Sequence, residues 1–353
     1  MTPKPIILDC LGGDRPLEQN TEAVLNLLSR DGARVPLMLV GPEQELRERL
    51  ELGGVRQIPG HVQFVHCETQ LSMDQHAAEV LKSQDNTLMK SLQLLKEGVG
   101  CAVVSAGHTG AVFMASIKVL GKIDGVLRPA IGVLYPSLHH TTLLLDGGAN
   151  VDCKPEYLFQ FGLLGAAFYK QTMGKHFMSK PSRGLEKVTV ALLNNGEEPS
   201  KGTKHIRQAY DLMQSFKQLP WIEFQGMMDA SALFGAAPHV LVADGYVGNI
   251  VVKTVESLMQ RLKSELKSQW EKSGPLSKFG LMLFKNRMKA FRGNLDFEEI
   301  GGAPLLGVNG TVFIAHGRSD GPTLAQCVRR AQNSHFEDYA KQLKQVLATV
   351  GSA

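Results

Sequence analysis

The sequence predicts an α/β fold, doubly wound around a mostly parallel, Rossmann-like sheet. Three observations predict it. Short apolar runs of strand length recur along the chain. Stretches with apolar residues at helical spacing separate them. The apolar runs repeatedly stop at Gly with Asp, Asn, Ser or His, just before the next helical stretch. Strands alternating with helices call for crossovers, and crossovers make parallel sheets with helices on both faces. Right-handed crossovers then put the strand-end loops along one edge. At 353 residues the chain supports a large core, and no Ser/Pro-rich linker divides it. A single α/β catalytic domain over 1–353 is expected.

The elements follow in order. Pro5–Cys10 reads as a strand that ends at Asp9, and Gly12-Gly13-Asp14 leads into a helix over Leu17–Ser29. Val35–Val40 is a second strand, with Gly41-Pro42-Glu43 opening a second helix. Val62–Val65 and Cys101–Ser105 are strands, and Gly107-His108-Thr109-Gly110 turns the latter into the helix Ala111–Leu120. Leu143–Leu145 reads as a buried strand, broken at Asp146-Gly147-Gly148. Pro155 suits the first position of the helix that follows, Glu156–Lys170. Val188–Leu193, His239–Ala243 and Thr311–Ala315 are further strands. The last two lead into a long helix and a C-terminal helix.

Six loops share one grammar: Asp9–Asp14, Ser105–Gly110, Asp146–Lys154, Asn194–Gly202, Asp244–Asn249 and His316–Asp320. Glycine lets the backbone approach a ligand, and helix N-termini direct free N–H groups at anions. Lys154 and Lys201 add point charges suited to phosphate. Between Asp146 and Lys154 stand two acids, the amide Asn150 and a lysine, more than a structural turn requires. Together the loops predict a phosphate-handling cleft.

Other classes are disfavoured. No GxxxxGK[ST] is present, no GxGxxG follows the first strand, and no GxSxG surrounds Ser105. The five cysteines are scattered without metal spacing, so no metal site is expected and a reducing cytoplasm is. His139-His140 reads as an exposed loop pair. The net charge of +4 is too small to imply nucleic acid. It is concentrated, however: Arg261–Arg292 holds nine Lys/Arg and two Glu. A local basic segment on a mildly acidic body suggests an acidic partner or surface.

The ordered motifs resemble the phosphate acyltransferase family of bacterial phospholipid synthesis. They are LDCLGGD (8–14), SAGHTGA (105–111), LLLDGGANVDCKPE (143–156), LLNNGEEPSKGT (192–203), DGYVGN with Lys253, GGAPLLG (301–307) and HGRSD (316–320). The resemblance runs from about residue 5 to 345. It implies transfer of a fatty acyl group from acyl carrier protein to inorganic phosphate. The acyl phosphate then serves glycerol-3-phosphate acylation, and no cofactor is needed.

Such chemistry needs a held phosphate, a stabilised thioester oxyanion and a departing thiolate, whose pKa of about 8.5 makes it a good leaving group. For that chemistry Lys201 and the backbones of Gly12-Gly13 and Gly107–Gly110 are expected to hold phosphate, and Asn249 with neighbouring N–H groups to face the oxyanion. Asp146, Asp152, Glu197 and Asp244 orient these groups. Asp14, Ser105, His108, Thr109, Asn150, Lys154, His316 and Ser319 complete the expected site.

Departures are His108 where the family has Asn, Thr203 for Asn and Val247 for Thr. The largest is 74–91, where a basic run and two serines are reduced to Lys82 and Lys90, with Asp85 added. An acyl-CoA-using phosphotransacylase and a divergent non-catalytic membrane-associated relative are the competing readings. The basic segment carries apolar stripes at Val255, Leu258, Leu262, Leu266 and Trp270, then Leu281, Phe284, Met288 and Phe291 beside Lys285 and Arg287. A basic amphipathic helical hairpin is expected over 255–295, meeting an anionic membrane, the carrier protein or a second copy. The expected partners are acyl carrier protein, phosphate, the membrane surface and the downstream glycerol-3-phosphate acyltransferase. The expected form is a cytoplasmic, peripherally membrane-associated homodimer.

Overall fold

Period-two burial is what builds the sheet. Ile6 and Leu8 point into one hydrophobic core and Ile7 into another. Leu143 and Leu145 likewise oppose Leu144, and Val240 and Val242 oppose Leu241. A strand buried on both faces must be apolar throughout, so these segments read as continuous apolar runs. The computed structural model describes residues 3–30, 35–70, 85–137, 140–172, 187–235, 237–272, 302–334 and 336–350. Leu281, Phe284, Lys285, Arg287 and Met288, the outer part of the expected hairpin, and most of 74–91 lie outside them.

Eleven described strands form one sheet: β1 (Ile6–Asp9), β2 (Leu37–Gly41), β3 (Val62–His66), β4 (Ala102–Ser105), β5 (Ala130–Pro136), β6 (Thr141–Leu145), β7 (Val188–Leu193), β8 (Ile222–Met228), β9 (Val240–Val242), β10 (Ala303–Leu306) and β11 (Val312–Ile314). The order is β3-β2-β1-β4-β11-β10-β5-β6-β9-β7-β8. One face packs on α1 (Pro16–Arg30), α5 (Pro155–Thr172), α6 (Lys204–Met213), α8 (Gly321–Asn333) and α9 (Phe336–Val350). The other packs on α3 (Thr87–Lys96) and α4 (Thr109–Leu120) in the first half, and on α7 (Gly245–Lys272) in the second. α2 (Glu43–Leu52) sits beside β2 and β3, burying Leu46 and Leu50.

The expectation of one shared strand-end edge needs correction. β3-β2-β1-β4-β11 run parallel, and so do β6-β9-β7-β8. Between them β11–β10, β10–β5 and β5–β6 are all antiparallel. The two parallel halves therefore point in opposite directions. Chain length explains this: four residues join β5 to β6 and five join β10 to β11, too few for a crossover.

The register keeps the two sets of ends together nonetheless. β10 pairs with Ala130 and Ile131 of β5, whereas β6 pairs with Gly132–Pro136. Leu145, the last residue of β6, lies opposite Gly132. Ile314, the last of β11, lies opposite Ala303, two residues before the Leu305–Ile131 pair. Both sets of C-terminal ends thus finish at the level of Ile131–Val133.

Two of the strands absent from the sequence reading have weak patterns, whereas β5 (Ala130–Pro136) is apolar and was passed over. Pro304 interrupts β10, and Glu223, Gln225 and Gly226 dilute β8. His140 differs from its surface reading. It is half-buried, its ring 4.5 Å from that of His239, which also packs 4.8 Å from Tyr169. His239 Nδ1 accepts the Thr189 N–H at 2.9 Å.

Burial, followed by the nearby His140 charge, pulls the His239 pKa down from 6.5 to about 4. The unfolded chain therefore binds a proton that the folded one refuses, and stability rises with pH through this range. The contribution is present at neutral pH and is lost as pH falls from 6.5 towards 4. Urea unfolding is expected to show a lower midpoint at about pH 5 than at about pH 7. His239→Asn, whose Oδ1 replaces the acceptor Nδ1, is expected to flatten that difference.

Candidate active site

Three loops of the first half and two of the second gather at the seam. In the first half, the turn after β1 places Gly12 against the turn after β4. A Cβ on Gly12 would lie 2.8 Å from Gly107 N and 3.0 Å from both Asp9 Oδ2 and Ser105 Oγ. Only hydrogen fits there. Beneath the two glycines, Ser105 Oγ donates to Asp9 Oδ2 at 2.7 Å and accepts the Gly107 N–H at 3.1 Å. Burial pushes the Asp9 pKa up, against the lowering effect of the Thr87 and Ser105 hydroxyls. The third loop joins through Asp14 N, which donates to Gly317 O at 2.9 Å, and through an Arg318–Asp14 ion pair at 3.6 Å. Ser319 N closes its turn on His316 O, and Asp320 caps α8 by accepting from Thr323 N.

In the second half, Asp146 is fully buried and organises the loop after β6. Its Oδ1 accepts N–H groups of Ile131, Gly148 and Ala149 at 2.9, 3.3 and 3.2 Å. Its Oδ2 accepts Asn150 N at 2.6 Å and Asn150 Nδ2 at 2.9 Å. Burial raises its pKa, and these donors oppose the rise. Asn150 Nδ2 also reaches Pro129 O, and Asn150 O accepts Gly245 N at 2.7 Å. Asp244 Oδ1 accepts Val247 N at 2.7 Å, which caps α7. A Cβ on Gly248 would collide with the Asp146 backbone carbonyl, so glycine is required where the two loops touch. On the first turns of α7, Asn249 lies beside Gly148, whose added Cβ would be 3.3 Å from Asn249 Cβ.

Lys253 and His316 join the halves, with Lys253 Nζ 3.4 Å from His316 Nε2. Lys253 stands one turn after Asn249, so both share a helix face. Lys253 Nζ also pairs with Glu256 at 2.8 Å.

The expected residues therefore separate into groups. Gly12, Gly13, Asp14, Ser105, Gly107, His316 and Ser319 gather in the first half, with the exposed His108 and Thr109 and half-buried Gly110 at the start of α4. Asp146, Asn150, Asp244 and Asn249 gather in the second. Lys201 pairs with Glu198 at 2.7 Å within its own loop, after β7, two strands from β6. Glu197, Asp152 and Lys154 are exposed. His108 makes no side-chain cap bond to α4, whereas Thr203 caps α6 through Ile206 N. Asn86 caps α3 through Met89 N, so the divergent segment still ends in a capped helix.

Sequence reasoning passed over Asp9, Lys253 and Glu256 as site residues. A carboxylate closing an apolar strand was the available sign for Asp9. The i,i+4 spacing from Asn249 was the sign for Lys253.

The sequence matches the family described as "Fatty acid synthesis protein" over residues 5–342. It is 37% identical over 330 residues to the phosphate acyltransferase of Pelotomaculum thermopropionicum, covering 93% of this chain and 91% of that one. The phosphate acyltransferase of Campylobacter jejuni is 36% identical over 332 residues, with 93% of each chain covered. The chain belongs to the phosphate acyltransferase family. Membership makes it an enzyme, an acyltransferase. Among solved structures, EutD phosphotransacetylase from Staphylococcus aureus superimposes with a TM-score of 0.59 at 13% identity, covering 94% of each chain. A 4-hydroxythreonine-4-phosphate dehydrogenase from Klebsiella pneumoniae gives 0.52 at 12%, covering 95% of this chain and 99% of the other. At these identities the likeness concerns the fold, a mostly parallel sheet with flanking helices.

Two substitutions probe the seam. Ser105→Ala removes a hydroxyl donor from the buried Asp9 and is expected to cost about 1–3 kcal/mol in urea unfolding. An unchanged midpoint would remove the Asp9–Ser105 bond from the supports of the glycine turns. Gly248→Ala is expected to abolish most turnover while far-UV circular dichroism stays as in the parent, because the new methyl must displace the Asp146 loop.

Proposed function

We propose that this acyltransferase moves a fatty acyl group from acyl carrier protein to inorganic phosphate. The acyl phosphate formed would then be used for glycerol-3-phosphate acylation. The observation that carries this reading is the meeting of glycine turns from two opposed half-sheets at one seam, in a chain of the phosphate acyltransferase family. Glycine turns and exposed N–H groups suit a phosphate that must be held with one oxygen free to attack.

In the proposed reaction, a phosphate oxygen attacks the thioester carbonyl carbon and forms the C–O bond. The carbonyl electron pair moves to its oxygen, and N–H donors near Asn249 receive the oxyanion. Collapse breaks the C–S bond, and the sulfur leaves with the pair and takes up a proton. Positioning and electrostatics are sufficient, so no covalent enzyme intermediate is needed. Asp146 and Asp244 act by holding the loop and α7 that carry these groups. Lys201 belongs to the outer wall of the site, where its charge serves the incoming phosphate or the carrier's acidic surface.

Exposed Leu258, Leu262, Leu266 and Trp270 repeat every four residues along α7. A second copy covering this stripe, and an anionic membrane meeting the basic segment beyond it, fit a peripheral homodimer. Among the described residues no helix is long and apolar enough to cross a membrane.

The reading is tested by phosphate-dependent thiol release from long-chain acyl carrier protein. Rapid release with the carrier and slow release with acyl-CoA is expected. The reverse preference would make this an acyl-CoA phosphotransacylase, and no release from either thioester would point to a non-catalytic relative. Lys201→Met is expected to slow release sharply with the fold intact, and unchanged turnover would remove Lys201 from the site. For the membrane contact, Leu281→Glu combined with Phe284→Glu is expected to abolish flotation with anionic vesicles.

A further inference from the structure

The Lys253–His316 contact has a hydrogen-bonding conflict. The Arg318 backbone N–H donates to His316 Nδ1 at 3.1 Å. A ring nitrogen that accepts carries no proton, so the neutral imidazole bears its hydrogen on Nε2. Lys253 Nζ, a donor only, faces that same Nε2 at 3.4 Å. In that tautomer two N–H donors face each other across the seam, at a position open to solvent and so to an anion. Among the described residues, no other hydrogen-bond partner of His316 Nε2 is present. Lys253 is also paired with Glu256 at 2.8 Å.

Two converging donors without a shared acceptor are the complement of an anion. We infer that Lys253 and His316, one from each half of the sheet, form a two-donor clamp for the phosphate that accepts the acyl group. A phosphate oxygen between them would accept from both nitrogens and form two charge-assisted bonds. The inference deepens the proposed function and rests on it for the identity of the anion. It moves the phosphate from Lys201, in a loop two strands away, to the seam itself. There Asn249 lies one helical turn from Lys253, so phosphate and oxyanion donors stand on one face of α7.

The surroundings of His316 agree with this arrangement. Partial desolvation, then the Lys253 charge, holds its pKa below the ordinary histidine range. Glu256 and Asp14 act in the opposite direction, and Arg318 adds to the effect of Lys253. A bound dianion favours the protonated ring, so phosphate must raise this pKa.

Two measurements on the full-length chain test the clamp. In the first, His316 is titrated by imidazole NMR with and without inorganic phosphate, its resonance assigned with His316→Gln. An upward shift with phosphate is expected. In the second, phosphate affinity is measured calorimetrically without acyl donor, and the KM for phosphate is measured in the thiol-release assay. Lys253→Met and His316→Gln are each expected to weaken phosphate about tenfold or more, the size of a lost charge-assisted bond. Lys253→Arg is expected to restore most of the affinity, with matched thermal unfolding showing that both Lys253 variants fold. An unmoved His316 titration would overturn the clamp, as would full phosphate affinity in Lys253→Met with loss only in Lys201→Met. Because binding is read without a thioester, a failure of acyl transfer accompanied by phosphate binding at His316 would sink the proposed reaction and leave the clamp standing.

Discussion

The buried Asp146 carboxylate is the interaction on which the rest of the site depends. It spends both oxygens on five N–H donors, from β5, from its own loop and from the Asn150 side chain. A carboxylate without water is costly to bury unless such donors surround it. Once surrounded, it holds them in one geometry. Through Ile131 it ties the loop to β5, the strand at which the sheet reverses. Through Asn150 it sets the carbonyl that receives Gly245, the first residue of α7. Asn249 and Lys253 are carried by that helix, so their positions follow from a carboxylate that is itself fully buried.

The second constraint is the sheet reversal. Short β5–β6 and β10–β11 connections force antiparallel pairing, so the two wound halves face opposite ways. The stagger along β5 brings their C-terminal ends to a common level, where loops from both halves line one seam. Each half supplies a different chemistry. The first gives close-packed glycine turns over the Asp9–Ser105 pair, and the second gives a capped helix with an amide and an ammonium on one face. The Lys253–His316 contact marks where the two meet.

Much of the fold was legible because apolar runs and glycine stops are local properties of the chain. The ends of β1, β6 and β7 and the start of α5 fall within a residue or two of the positions that patterning alone suggests. Strands such as β8 and β10 were not legible, since Gly226 and Pro304 break the apolar pattern and their burial comes from neighbours distant in sequence. The site was legible loop by loop, but the weighting was not. Lys201 stands out in sequence beside Glu197 and Glu198, yet its partner is local. Lys253 is visible in sequence as the closing lysine of the DGYVGN motif, but its pairing with His316 is not. Asp320, Asp244 and Thr203 were visible as polar loop residues, and in the fold they cap helices.

The sequence by itself determined the α/β class, the six glycine loops and the family, because local pattern and ordered motifs survive without knowledge of contacts. Tertiary structure decided which loops share a site, the opposed direction of the two halves and the pairing of Lys253 with His316. Those depend on strand register and on distances between residues far apart in the chain, which no local pattern encodes.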